Sequence, residues 1–185
     1  MLSSKMEKLK DSLACITYNG AQHAHILIEE TKATATLKKV TLVAQNGDWF
    51  SFNPERGRSM SPLLVMDAHH DHHRACDCVV VVNRNGALVV VYIELKSSKR
   101  SDYTGKFKST RQFMRYALGL LEEFHKAVLT IAEERYFVLY GGKTILLNKT
   151  PTVPKVEKMS KSKPDAAYKR EVANPARLYL KELLG

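Results

Sequence analysis

Residues 75–96, ACDCVVVVNRNGALVVVYIELK, decide the fold of this chain. Two runs rich in valine flank Asn85-Gly86, the dipeptide that two-residue type I′ hairpin turns prefer. With Asn85 and Gly86 as the loop, Arg84 faces Ala87, and the register of all other pairs follows. The stretch therefore predicts an antiparallel β-hairpin whose strands are mostly buried.

The same register brings ionisable residues together at the open end of the hairpin. Asp77 is directly opposite Glu94, and Lys96 follows Glu94 by two positions. Because side chains alternate between the faces of a strand, these three share one face, whereas Cys76 and Cys78 point to the other. We therefore expect both carboxylates and the lysine to converge, and the two cysteines to act as small packing residues.

Two neighbouring carboxylates among valine-rich strands need compensation, because like charges and poor solvation both oppose their ionisation. A divalent cation compensates, since the oxygens of Asp77 and Glu94 are hard ligands of the kind that Mg²⁺ or Mn²⁺ binds. Lys96 would then position or deprotonate the attacking water. The simpler alternative is a cross-strand ion pair of Asp77 with Lys96 near the sheet edge, with Glu94 exposed.

The rest of the chain predicts an α/β layer structure. Residues 3–14 have helical spacing, residues 25–52 look mostly extended, and residues 106–130 carry an apolar helical stripe. That stripe consists of Phe113, Ala117, Leu120, Leu121, Phe124 and Val128. Strands are predicted over 136–140 and 144–147. The order hairpin, helix, strand indicates helices packed on a sheet.

Asp77 followed by Glu94-Leu95-Lys96 resembles the signature of the PD-(D/E)XK nuclease superfamily, an acidic residue on one core strand and an acid-any-lysine triplet on the next. Cys76 stands where the motif's name has proline, which is often absent in members of the family. The resemblance implies a restriction-endonuclease-like core, that is, a central mixed β-sheet flanked by helices, with the catalytic hairpin at its centre. It also implies hydrolysis of DNA phosphodiester bonds that depends on Mg²⁺ (or Mn²⁺).

A second resemblance lies on the following helix. Gln112 and Tyr116 match the Gln-x-x-x-Tyr motif of RecB-type exonucleases, and residues four apart lie on one helical face. The resemblance implies that Gln112 and Tyr116 contact the substrate backbone or order the catalytic site. Because the motif is short, the alternative is that both are ordinary helix-surface residues. The resemblance covers roughly residues 75–140.

The net charge of +10 is concentrated in two segments. Residues 96–115 carry seven basic residues against one acidic residue, and residues 149–170 carry seven against two. Such segments fit a polyanionic partner, because neutralising phosphates releases counterions, but they fit solvated lysine-rich loops equally well. The candidate nucleic-acid contacts are Lys99, Arg100, Lys106, Lys108, Arg111 and Arg115.

The length of 185 residues suits a single core. We expect residues 1–148 to form one nuclease-like domain, best supported over 75–140. Residues 149–185 are expected to form a basic tether and then a short C-terminal helix over 175–184. No apolar run is long enough to cross a bilayer, the N-terminus makes a poor signal peptide, and three cysteines do not form a disulfide framework. We therefore expect a cytoplasmic protein that does not bind membranes.

A run of histidines and several acidic residues precede the hairpin. The histidines are His69, His70, His72 and His73. Imidazoles bind transition metals, but adjacent loop histidines without a zinc-site spacing are more often solvated. Some RecB-type nucleases supply an upstream histidine to the catalytic metal, which makes His73 or a neighbour a candidate ligand. The superfamily often adds an upstream acid, for which the candidates are Glu7, Glu29, Glu30 and Glu55.

Three hypotheses follow from these patterns. The first is a Mg²⁺-dependent nuclease acting on DNA, with Asp77 and Glu94 as metal ligands and Lys96 assisting the attacking water. The second is a catalytically inactive nucleic-acid-binding or scaffolding subunit of a DNA-processing complex, which the small size and basic tether suit. The third is a histidine-rich metal-binding protein with an accidental triplet. RNA in place of DNA, a homodimer and a protein partner are each compatible with the sequence.

Overall fold

The computed structural model describes residues 1–56, 64–65, 71–97, 102–141 and 156–185. The helices are α1 (Ser4–Asp11), α2 (Thr104–His125), α3 (Val156–Ser160) and α4 (Leu180–Leu184). The strands are β1 (Ile16–Asn19), β2 (His25–Glu29), β3 (Lys39–Val43), β4 (Trp49–Phe52), β5 (Cys78–Arg84), β6 (Ala87–Lys96), β7 (Thr130–Gly141), β8 (Tyr168–Val172) and β9 (Ala176–Tyr179). Short 3-10 turns lie at Pro54–Arg56 and Asp71–His73.

The hairpin of β5 and β6 lies at the centre of a six-stranded sheet, in the order β1-β4-β5-β6-β7-β8. Its predicted register is confirmed, because Arg84 pairs with Ala87 and Cys78 with Ile93. The turn has the two positive φ angles that a type I′ turn requires, 54° at Asn85 and 91° at Gly86. Strands β1, β4, β5 and β6 are antiparallel, whereas β7 and β8 continue in parallel. The chain is therefore an α/β protein with a mixed central sheet flanked by helices.

Each face of the central sheet is covered by a different layer. On one face, α1 and α2 pack through residues such as Met6, Leu9 and Met114 against Val79 and Val81. On the other face lie α4 and a three-stranded sheet of β2, β3 and β9, which contribute the buried residues Ile26, Leu42, Leu178 and Leu183 among others. Alternation along β5 and β6 supplies both cores, because odd and even positions point to opposite layers.

The long helix α2 differs from the sequence prediction in its extent and in its buried face. It begins at Thr104 and ends at His125, because Lys126 adopts a left-handed conformation with φ of 50°. The residues that it buries are Phe107, Ser109, Thr110, Met114, Ala117 and Leu121. Three members of the predicted stripe, Leu120, Phe124 and Val128, are exposed. The prediction missed this rotation because Ser109 and Thr110 are buried against the segment before β5, through hydrogen bonds with His72 and Cys76, although neither is apolar.

The predictions for both ends of the chain need correction. The first helix is confirmed, but residues 34–37 lie in turns, not in a strand. The expected tether is described only from residue 156, where α3 begins and Met159 is fully buried. Instead of one helix over 175–184, the chain forms β9 and then the shorter α4. The pairing of β9 with β3 explains the difference at the C-terminal end, because it stabilises extended structure that local sequence does not specify.

The predicted strand at 136–140 is part of the longer β7, whereas the predicted strand at 144–147 lies outside the described residues. Within the described ranges, no helix is both long and apolar enough to span a membrane.

Candidate active site

Two carboxylates meet at the open end of the central hairpin. Asp77 immediately precedes β5, and Glu94 lies near the end of β6. The N–H of Leu95 donates to Oδ2 of Asp77 at 2.5 Å, which fixes Asp77 against the neighbouring strand. Asp77 is 7% exposed and Glu94 only 1%. The valine-rich strands thus hold two acidic side chains in a buried position on the face that α2 covers.

Lys96 contacts Glu94 rather than Asp77. Its Nζ lies 3.0 Å from Oε1 of Glu94 and donates to the backbone oxygen of Asp102 at 3.2 Å. The simple alternative of an Asp77–Lys96 pair beside an exposed Glu94 therefore does not describe this site. Lys96 has one anchor in the site and a second in the segment that leads into α2.

A second lysine, Lys106 from the first turn of α2, enters the same site. Its Nζ lies 2.8 Å from Oε1 of Glu94, 3.1 Å from Oε1 of Glu55 and 3.9 Å from Oδ1 of Asp77. We had expected Lys106 to contact phosphate, and the sequence did not predict these pairs. A signal was present, because Lys106 precedes Phe113 and Ala117 by seven and eleven residues and so continues their helical line.

Burial has the largest effect on the pKa values of both acids. Burial, reinforced by the charge of Glu94, raises the pKa of Asp77 to about 8, although Lys106 opposes the shift. Burial also raises the pKa of Glu94 against the opposing effects of Lys106 and Lys96. Burial alone would lower the pKa of Lys106, but Asp77 and Glu94 raise it above its usual range. The lysines therefore compensate the buried negative charge only in part.

The donor set can accept a divalent cation. Oε2 of Glu94 is buried and has no hydrogen-bond partner among the described residues, and Oδ1 of Asp77 has Lys106 only at 3.9 Å. Hard carboxylate oxygens of this kind fit Mg²⁺ or Mn²⁺. Within the described part of the chain, no group of three or more His, Cys, Asp or Glu side chains is arranged to hold a metal. Water and substrate oxygens would have to complete the coordination shell.

Arg74 holds together the segments around the site. Its guanidinium donates to both carboxylate oxygens of Asp102, at 2.8 and 2.7 Å, and to Asp71 at 3.1 Å. These bonds with Arg74 lower the pKa of Asp102. Ser109 Oγ donates to the backbone oxygen of His72, which ties α2 to the same turn. The sequence did not point to Arg74, because its partners come from two separate loops.

Two of the four histidines, His72 and His73, lie in the 3-10 turn Asp71–His73. Nε2 of His73 lies 3.2 Å from the backbone oxygen of Leu64 and 3.1 Å from that of Val65. Its Nδ1 is buried and has no hydrogen-bond partner in the described ranges. No contact described by the structure joins His73 to Asp77 or Glu94, and His69 and His70 lie outside the described residues. The role of His73 as a metal ligand stays a prediction.

The Gln-x-x-x-Tyr pair is not brought to the carboxylates. Gln112 is exposed and Tyr116 is 63% exposed, on the side of α2 away from the sheet. Lys108 is also exposed, and Arg115 lies 3.6 Å from Glu134 of β7. The remaining candidate nucleic-acid contacts are Arg111, which is half-buried, and Lys99 and Arg100, which lie outside the described residues. Gln112, Tyr116, Lys108 and Arg115 thus form an outer surface rather than part of the buried site.

Cys76 differs from expectation. Cys76 packs on the α2 side, where its N–H donates to Oγ1 of Thr110 at 3.1 Å, whereas Cys78 faces the other layer as predicted. The error arose because β5 begins only at Cys78, so strand alternation does not reach Cys76. Of the four upstream acids, Glu55 is the one that a described ion pair links to the site, through Lys106.

Comparisons with protein-family models, with curated proteins and with solved structures found no match for this chain. What the site does must therefore be inferred from its own residues.

Proposed function

We propose that the chain is a metal-dependent nuclease that hydrolyses DNA phosphodiester bonds, with Asp77 and Glu94 as ligands of Mg²⁺ or Mn²⁺. One observation carries the proposal: two buried carboxylates share a site in which Oε2 of Glu94 has no described hydrogen-bond partner. An unsatisfied buried carboxylate oxygen is costly, and a divalent cation offsets that cost. The metal would supply Lewis acidity and a water of lowered pKa.

The residues around the pair suit phosphodiester hydrolysis. Lys96 is held between Glu94 and the Asp102 backbone oxygen, so its ammonium is in place to orient water and to stabilise negative charge developing on the phosphate. Asp77 is held by the Leu95 N–H, which leaves its Oδ1 for a cation. The order of an acid, a turn, and an acid-any-lysine triplet on a central hairpin supports a restriction-endonuclease-like core.

The outer surface of α2 supports DNA as the substrate. Lys108, Arg115 and Gln112 are exposed along one side of the helix, together with the ring of Tyr116. Basic groups neutralise phosphates, and an aromatic ring or an amide contacts sugar and base without reading sequence.

The chain has three free cysteines, Cys15, Cys76 and Cys78. Reduced thiols suit an activity in the cytoplasm.

The test is cleavage of labelled linear and circular DNA, single- and double-stranded, with Mg²⁺, Mn²⁺ or EDTA. Lys96→Ala and Glu94→Gln should each lower the rate by about a hundredfold or more, because they remove charge stabilisation and a metal ligand. Lys38→Ala, just before β3, and Glu29→Gln, at the end of β2, change exposed residues and should leave the rate unchanged. Circular dichroism melting shows whether each variant is folded.

A second candidate function has its own support. Lys96 and Lys106 both lie within ion-pair distance of Glu94, so the fold can compensate part of its buried charge without a metal. An inactive nucleic-acid-binding subunit would have this property. DNA binding that is unaffected by EDTA, with no cleavage under any condition, would favour this second function and overturn the first.

A further inference from the structure

We propose that the ammonium of Lys106 is an internal occupant of the cation site, and that a divalent cation binds there by displacing it toward Glu55. The inference rests on the proposed metal ligands Asp77 and Glu94, and it adds a side chain that competes with the metal for them. Lys106 then sets the metal affinity of the site, and Glu55 determines how readily Lys106 leaves.

The position of Lys106 carries the first step. Its Nζ lies among three carboxylates, at 2.8 Å from Glu94, 3.1 Å from Glu55 and 3.9 Å from Asp77, and its side chain is only 14% exposed. A divalent cation held by Oε2 of Glu94 and Oδ1 of Asp77 would lie close to this ammonium, which already contacts Oε1 of Glu94 and approaches Oδ1 of Asp77. Two cations so close together in a poorly solvated site repel each other strongly. Lys106 therefore cannot keep its contact with Glu94 once the metal is bound.

Glu55 provides the second position. Its carboxylate is half-exposed at the edge of the site and already pairs with Lys106. The turn that carries Glu55 is fixed by its own N–H, which donates to Oδ1 of Asn53 at 2.9 Å. A lysine on a flexible stem can turn away from Glu94 and keep this outer partner. Displacement of Lys106 thus costs less than the loss of all its ion pairs.

Lys96 is less suited than Lys106 to be displaced by a metal. Besides Glu94, it donates to the backbone oxygen of Asp102, and Arg74 holds Asp102 by two hydrogen bonds. The described partners of Lys106, in contrast, are all carboxylates of the site. Entry of a metal therefore weakens every contact of Lys106 except the one with Glu55, while Lys96 keeps a neutral anchor.

The test is titration with Mn²⁺ alone, followed by calorimetry and by electron paramagnetic resonance of the free ion. Lys106→Met keeps the length of the side chain and removes its charge, so the Mn²⁺ dissociation constant should fall by about tenfold or more. Lys38→Met, at an exposed position just before β3, is the matched control and should leave the constant unchanged. Added Mn²⁺ should also raise the melting temperature of Lys106→Met more than that of the unaltered chain.

Glu55 is tested by a double-mutant cycle. Glu55→Gln alone should weaken Mn²⁺ binding, because Lys106 loses its second position. In the Lys106→Met background the same change should have no effect. If Glu55→Gln weakens binding equally in both backgrounds, Glu55 is itself a metal ligand and its role as a partner of displaced Lys106 is overturned.

Unchanged or weaker Mn²⁺ binding by folded Lys106→Met, or no binding by any variant, would overturn the inference. Lys106→Gln, which keeps a polar head at the position, gives the same test if Lys106→Met does not fold. DNA cleavage measured on the same samples separates the two proposals. If Lys106→Met binds Mn²⁺ more tightly but no sample cleaves DNA, the displacement of Lys106 is supported and the nuclease proposal is overturned. If the chain cleaves DNA with metal but Lys106→Met binds Mn²⁺ no more tightly, the nuclease proposal is supported and the displacement of Lys106 is overturned.

Discussion

The two faces of the β5–β6 hairpin have the same backbone but opposite chemistry. The face toward the second sheet is apolar and buried from Cys78 to Val82 on β5 and from Val89 to Leu95 on β6. The face toward α2 begins equally apolar but ends in Asp77 and Glu94. The fold alone does not require these carboxylates, since the opposite face closes the same strands with apolar side chains. This difference is why we place the proposed chemistry on the α2 face.

The largest effect that would sharpen this comparison is the pH dependence of stability. Because burial raises the pKa of Asp77 from 3.8 to about 8, the folded state binds a proton that the unfolded state releases between these values. The stability that protonated Asp77 contributes to the folded state is therefore fully present below about pH 4 and is lost as the pH rises toward 8. We expect a loss on the order of 5 kcal/mol over that window.

Urea unfolding across the same pH window measures this loss. Asp77→Asn cannot ionise and should flatten the decline, whereas Asp11→Asn, an exposed change on α1, should not. Saturating Mg²⁺ should flatten it as well, because a bound metal favours the ionised carboxylates. A decline that is identical in Asp77→Asn would show that the site carries no unusual acid.

The apolar face provides the next largest effect. Ile93 is fully buried. It lies between Tyr92 and Glu94 in the sequence, but its side chain points to the opposite layer, toward the second sheet. Ile93→Ala should lower the free energy of unfolding by about 2–5 kcal/mol, through lost burial and the cavity that remains. Val128→Ala, at a half-exposed position, should change it by less than about 0.5 kcal/mol. Equal effects of the two substitutions in urea unfolding would mean that this face is not packed as described.

How much of the molecule was predictable follows from how local each interaction is. The hairpin needed only Asn85-Gly86 and strand alternation, so its register followed from the sequence. Continuing that register by one residue also placed Asp77 near Glu94, with which it shares Lys106. The second sheet did not, because β3 pairs in parallel with β9, from the other end of the chain. No local pattern determines which distant strands pair.

The same distinction explains the site. Lys96 was predictable because it shares a strand with Glu94, whereas Lys106 and Glu55 reach the carboxylates from a helix and a loop that only tertiary packing brings close. The role of Arg74 could not be predicted from the sequence for the same reason, because only tertiary packing brings Asp102 close to it. The face of Cys76 was predicted wrongly because a strand pattern was extended past the end of the strand.

Two glycines of α2 provide a smaller and more local test of the layer that holds the site. A β-carbon at Gly105 would lie 2.2 Å from Oδ2 of Asp71, whereas one at Gly119 would meet no atom within 4 Å. Gly119→Ala should stabilise the chain by up to about 1 kcal/mol, because alanine favours the helix. Gly105→Ala should bring no gain, because it pushes Asp71 away from Arg74. Equal gains in thermal melts would show that Asp71 does not pack against α2.

Arg74 gives the smallest effect on stability and the most specific one on the site. Its bonds to Asp102 and Asp71 are partly exposed, so Arg74→Ala should cost about 1 kcal/mol or less in unfolding experiments. The same change frees Asp102, whose backbone oxygen anchors Lys96. We therefore expect kcat for DNA cleavage to fall by about tenfold with little change in KM, because a catalytic group is misplaced while substrate contacts remain. Arg74→Lys should restore only part of the rate, because lysine cannot bind both carboxylate oxygens as a planar fork. If kcat is unchanged in Arg74→Ala, Lys96 is positioned by Glu94 alone, and the loop that Arg74 holds has no part in the chemistry of the α2 face.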